Sequence, residues 1–199
     1  MTIKTNEKIK NETKLSKEEL EFKLEVATQT LDRNINFITN CDNKTSIVLA
    51  TFLGAFAIIL TNEGANKILN IVKTCLESRT FCNILYLLCL ISAFVVMILG
   101  VFILGNVLIA KTSEEAVGRK NENSRIFFAG IRKSGNYNTY YQRFCTMNKE
   151  DLLTDLTEQI YINADIASNK YAAYNRGVRC IIIGFTLFVF FIFIGIYIY

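Results

Sequence analysis

Three stretches without a single charged side chain, 45–62, 80–110 and 180–199, interrupt this sequence, and every Lys, Arg, Asp and Glu lies outside them. Such a distribution leaves few folds open. Inside a bilayer every peptide group must find its partner within the segment, so an uncharged apolar run of about 20 residues crosses as a helix. The first run, at about 18 residues, is short but adequate. The second is long enough to span with tilt or overhang. The third closes the chain at Tyr199, and no Pro occurs anywhere to break a helix. The expected fold class is an all-α membrane protein with three transmembrane helices.

The charged segments carry helical periodicity of their own. Ser16 and Glu19 have capping-box spacing, with Leu15 and Leu20 flanking them as a hydrophobic staple. Leu20, Leu24, Ala27, Leu31, Ile35 and Ile38 then mark one apolar face. Near the other end, Asn148 is placed to cap a helix whose first turn holds Glu150 and Asp151. Leu153, Ile160, Ala167 and Tyr174 follow at heptad spacing, beside Leu156, Ala164 and Tyr171. Continued through the last span, this helix would be roughly 75 Å long. Gly177 sits at the junction, where a hinge is conceivable.

The expected layout is therefore a flexible N-terminus (1–15) without signal-peptide character, an amphipathic helix (16–44) and a first span (45–62). An external loop (63–79) with a turn or two around Ile68, Ile71 and Val72 leads to a second span (80–110). A segment suited to sensing and a long amphipathic helix (111–179) precede the third span (180–199). Basic residues orient it: eight lie in the N-terminal part through Lys44, eleven between Lys111 and Arg179, and only Lys67, Lys73 and Arg79 in the short loop. The positive-inside rule places the N-terminus and the long second connection in the cytoplasm. Both amphipathic helices then emerge on one side, and their apolar stripes should pack on each other or on neighbouring subunits of a homo-oligomer.

The sequence offers little to an enzyme. It has no His, no P-loop and no nucleophile elbow, so no catalytic residue is assigned. The six Cys form no CxxC pair and no zinc spacing, and no metal is expected; Cys75 and Cys82 would pair only in an oxidising compartment. A net charge of +4 is too mild to argue for nucleic acid. The candidate recognition segment is 124–133, where arginines can hold phosphate and rings can stack on a base. Arg125, Arg132, Lys133 and Arg143 are the candidates for an anionic ligand. Phe127, Phe128 and Ile131 suit an apolar lid better than a platform, with Phe128 kept as the ring for stacking. A turn is expected at Gly135-Asn136. Asp42 and Lys44 stand at the membrane boundary, and Asp165 and Lys170 repeat the acid-then-lysine order on the other helix, so cross-helix pairing and a gating role are open to them. Ala50 with Gly54, and Gly100 with Gly105, are candidates for close helix packing.

Several of these features occur together and in order. Asp42-Asn43-Lys44 leads into a Gly-containing apolar helix; Phe127 to Ile131 reads Phe-Phe-x-Gly-Ile, with a Tyr about ten residues on. The acidic helix Glu150-Asp151-Leu152-Leu153, with Gln159-Ile160 and Lys170, then runs into the final span. Across Leu31 to Ile194 the chain resembles the transmembrane effectors of Pycsar antiphage systems (PycTM-like proteins), although Cys41 stands where that family usually has Ala. The resemblance implies an effector of the bacterial inner membrane. A partner cyclase would make cyclic CMP or cyclic UMP on infection, the cytoplasmic region would sense it, and the effector would impair the membrane in abortive infection. From another class, the alternative is a pore-forming or scaffolding membrane protein triggered by a protein partner, with no nucleotide ligand.

Overall fold

Helix dominates because little else is available to segments that must satisfy their own backbone in lipid. The computed structural model describes residues 16–78, 80–109 and 124–198. In chain order the helices are α1 (Lys17–Ile59), α2 (Asn62–Ser78), α3 (Phe81–Leu108), α4 (Phe128–Lys133), α5 (Tyr137–Cys145) and α6 (Lys149–Ile198). α1, α3 and α6 are each long and apolar enough to cross a membrane. This is the all-α membrane fold expected from the charge distribution. The N-terminal segment expected to be flexible (1–15) and residues 110–123 of the second connection lie outside the described residues.

The helix starts are local chemistry. Ser16 Oγ accepts from the Glu19 N–H at 3.2 Å while Glu19 Oε2 accepts from the Ser16 N–H at 2.9 Å, so the capping box closes in both directions. The Ser16 backbone bond, then its hydroxyl, hold the Glu19 carboxyl below its ordinary value. At α6, Asn148 Oδ1 accepts from the Asp151 N–H at 2.7 Å. α6 is one continuous helix through Gly177.

The chain divides into two compact units, one of residues Met1–Asn36 with Thr112–Asp165 and one of Phe37–Lys111 with Ile166–Tyr199. In the first, the two amphipathic helices do meet. Asn34 Nδ2 donates to the Ile160 carbonyl at 3.2 Å, and Lys149 pairs with Glu21 at 2.6 Å. Leu20 and Ala27 are buried as expected, but Ile35 is exposed, because Asn34 takes the inward position beside it. On α6 the buried positions are Asp155, Leu156, Gln159 and Ile162, whereas Ala164 of the expected heptad face is exposed. The inward face therefore includes polar side chains that a search for apolar spacing passes over.

The second unit is a bundle held by close glycine contacts and phenylalanine rings. On α6, Ile166, Lys170, Gly177, Ile181, Gly184 and Phe188 are buried, steps of three, four and seven that follow the straight-helix period. A Cβ on Gly100 would meet the Ile181 nitrogen at 2.8 Å and the Gly177 carbonyl at 2.9 Å, so α3 and α6 touch backbone to backbone there. Gly54 and Gly105, by contrast, face open space. Phe52 packs edge-on against Phe185 with centroids 5.7 Å apart, and Phe94 lies 5.8 Å from Phe188. Buried residues make up only 11%, 28% and 22% of the most apolar windows of α1, α3 and α6, which leaves most of that apolar surface facing outward, as lipid contact requires. The expected loop at 63–79 is instead largely helix, since α2 fills 62–78. Cys75 and Cys82 are free thiols, the first buried and the second exposed.

Candidate functional site

The segment 124–145, in the first unit, is built around Ser124. Its buried hydroxyl accepts from the Phe127 N–H at 2.9 Å and the Ile126 N–H at 3.3 Å, which turns the chain into α4. Gly130 packs directly on the Ser124 carbonyl, leaving no room for a Cβ. This accounts for the glycine in Phe-Phe-x-Gly-Ile. Gly135 ends α4 with φ +80°, the left-handed geometry that favours glycine at such a stop. Asn136 then caps α5, accepting from the Thr139 N–H at 2.9 Å. The expected Gly135-Asn136 turn thus separates two short helices.

Two cavities flank this segment, and their chemistry differs. One, about 220 Å³, is lined by Ser124, Arg125, Asp151, Thr154, Asp155 and Glu158. Arg125 is already engaged here: its guanidinium meets Asp151 at 3.1 Å and its backbone N–H donates to Asp155 at 2.7 Å. Three carboxylates against one guanidinium repel an anion. The other cavity, about 240 Å³, is lined by Ile131, Arg132, Gly135, Asn136, Tyr137 and Tyr140 and contains no acid. Arg132 is exposed in the last turn of α4, and Asn136, Tyr137 and Tyr140 line the cleft from the start of α5. Two tyrosine rings offer flat apolar faces, with Tyr137 stacked on Tyr141 at 5.9 Å. Phosphate and a planar base are the groups such a cleft suits.

The other candidates separate accordingly. Phe128 is exposed, with its ring 4.5 Å from that of Phe127. Lys133 is exposed beside Arg132, and Arg143 donates to Ser134 Oγ at 3.0 Å. Tyr137, Tyr140 and Asn136, which line the acid-free cleft, are not among the candidates read from the sequence, although tyrosines three apart follow the glycine turn there. The cleft is linked to α6 through Arg125, whose carbonyl accepts from Tyr140 Oη at 3.2 Å.

In the second unit Lys170, 4% exposed, is the most consequential charge. Its Nζ lies 2.6 Å from Asp42 Oδ1 and 2.7 Å from the Val107 carbonyl. That carbonyl belongs to the last turn of α3, where no intrahelical donor remains, and an ammonium answers both the missing bond and the negative end of the helix. One side chain of α6 thereby joins α1 and α3. Cys41 and Thr45 are fully buried beside Asp42 in sequence, and Thr45 Oγ1 donates to the Cys41 carbonyl at 2.8 Å. Lys44 is exposed, and Asp165 belongs to the first unit.

Comparison with known proteins matches residues 26–197 to the family model of the Pycsar effector protein domain, PycTM. The Pycsar effector protein GmPycTM of Gulbenkiania mobilis is 32% identical over 189 residues, covering 89% of this chain and 94% of the relative. No solved structure matches.

Proposed function

The chain belongs to the Pycsar effector family, a family of antiphage defence effectors, and from that premise we propose that it is switched on by a cyclic pyrimidine nucleotide, cyclic CMP or cyclic UMP, bound in the cleft between α4 and α5. The observation that carries this reading is the acid-free cleft itself, where Arg132 and the start of α5 can hold a cyclic phosphate and Tyr137 or Tyr140 can stack on the base. Arg125 takes a different part. Its contacts with Tyr140, Asp151 and Asp155 tie the cleft to α6. A nucleotide that displaces Tyr140 would loosen Arg125 from α6, the same helix that ends as a membrane span. Only tighter binding to the displaced state can drive such a shift. The outcome would be impaired membrane integrity and abortive infection, through an inner-membrane homo-oligomer supplied with nucleotide by a partner cyclase.

Calorimetry on the detergent-solubilised full chain tests the ligand. Cyclic CMP or cyclic UMP should bind and linear CMP should not. Arg132→Ala should weaken binding by about ten- to a hundredfold, as losing a charged hydrogen bond does. Tyr137→Ala should cost a similar factor if the base stacks there. Absence of heat and of thermal shift with every cyclic nucleotide would sink the reading and favour a protein trigger.

The proposed orientation puts Cys145 in the cytoplasm and Cys82 on the outer side; both are exposed. A membrane-impermeant maleimide applied to intact spheroplasts should therefore label Cys82 and spare Cys145. The opposite pattern would invert the topology.

A further inference from the structure

Helix α2 raises a question that the three spans do not. It has seventeen residues, and at about 100° per residue its apolar side chains cover an arc of roughly 160°. Only half of that arc meets protein. Ile71 and Cys75 are buried against Leu87, while Ile68 and Val72 pack toward Leu90 and Phe188. The other half presents Leu69 and Leu76, 63% and 58% exposed. Beyond the apolar arc lie Glu63, Lys67, Lys73 and Glu77, which bar the helix from the hydrocarbon interior.

The height of α2 on the bundle follows from α6. Ile71 lies against Gly195, and by helical rise Gly195 stands about 24 Å beyond Arg179, the last charge on α6. A hydrocarbon layer about 30 Å thick beginning after Arg179 thus ends near α2. A helix at that height, with an apolar arc on one side and a charged one on the other, has the form of an interfacial helix.

Beside it is a cavity of about 220 Å³, lined by Lys67, Asn70, Ile71 and Thr74 of α2 and by Ile196 of α6. Lys67, Asn70 and Thr74 share one helix face and supply an ammonium, an amide and a hydroxyl. No carboxylate lines it, and Ile71 and Ile196 provide an apolar wall. Cationic and hydrogen-bonding groups above an apolar wall, at the edge of a bilayer, match a phosphodiester headgroup whose glycerol continues into lipid. We propose that α2 lies in the membrane interface with Leu69 and Leu76 in the acyl region, and that the groove at Lys67, Asn70, Thr74 and Ile196 binds a phospholipid headgroup. This lipid contact is independent of the nucleotide cleft.

The chain contains no Trp, so single reporters are available. Full-length Leu69→Trp, Leu76→Trp and Asn66→Trp proteins would be placed in phosphatidylcholine–phosphatidylglycerol vesicles carrying brominated acyl chains. Quenching should be several-fold stronger for the two leucine variants than for Asn66→Trp, which lies on the polar face. Equal quenching in all three overturns the seating of α2. For the headgroup, native mass spectrometry of the chain released from nanodiscs of the same two lipids should show retained phospholipid in the natural protein, in Lys67→Arg and in Lys73→Gln, and markedly less in Lys67→Gln. Retention in Lys67→Gln equal to that in Lys73→Gln overturns the site. Displacement of the lipid by millimolar inorganic phosphate overturns the lipid assignment in favour of a free anion.

Discussion

Lys170→Ala should be among the most damaging single substitutions outside the nucleotide cleft. Removing the ammonium leaves the Asp42 carboxylate and the Val107 carbonyl without the donor that reaches both, at 2.6 Å and 2.7 Å. Breaking a buried pair from one side costs about 3–5 kcal/mol, and the partial exposure of Asp42, at 34%, moves the expectation toward the lower end. Thermal unfolding of the detergent-solubilised protein checks it. The double variant Lys170→Met with Asp42→Leu should recover much of the loss, because no uncompensated charge then remains. Lys44→Ala, at an exposed position, should change stability by no more than about 0.5 kcal/mol. If Lys170→Ala is as mild as Lys44→Ala, the three-way junction of α1, α3 and α6 contributes nothing to the bundle. The notion of a gate at Asp42 would then lose its structural basis.

Gly184→Ala should disrupt the same bundle by a different route. The added methyl would meet the Met97 nitrogen at 2.5 Å and its Cα at 2.8 Å. Those are backbone atoms of α3, so no rotamer change relieves the contact and the two helices must separate. Overpacking of this kind costs about 1–3 kcal/mol, and Gly184→Leu should cost more. Gly54→Ala is the control, since nothing lies within 4 Å of its Cβ position. Denaturant titration in mixed micelles should show an early transition for Gly184→Ala and an unchanged one for Gly54→Ala. Equal midpoints would mean that α3 and α6 tolerate a looser fit.

Much of the architecture can be read from charge and local spacing. A charged side chain costs too much in hydrocarbon for 45–62, 80–110 and 180–199 to be anything but membrane-facing candidates, and the three long apolar helices follow them. Ser16 with Glu19, Asn148 with Asp151, and Gly135 with Asn136 are equally legible, because capping and turn bonds join residues only a few positions apart. At α2 the same reading fell short. Its polar residues suggest a loop with only a turn or two around Ile68, Ile71 and Val72, whereas the structure extends that periodicity, through Cys75, into a helix over Asn62–Ser78.

Which residues meet across the fold is another matter. Asp42 and Asp165 are both acids near an apolar boundary, and nothing in their neighbourhoods says that Asp42 faces Lys170. Arg125 and Arg132 are seven residues apart and chemically equal, yet carboxylates from α6 surround the first while the second borders the acid-free cleft. Gly184 and Gly54 are both glycines in apolar helices, and only one is pressed against another backbone. The sequence by itself determined the three long apolar helices, the caps that start two of them and their need for a membrane, since each rests on interactions within a segment or between a segment and its solvent. The tertiary structure alone decided the partners of Lys170, the free arginine and the contact glycines, because those depend on side chains brought together from distant parts of the chain.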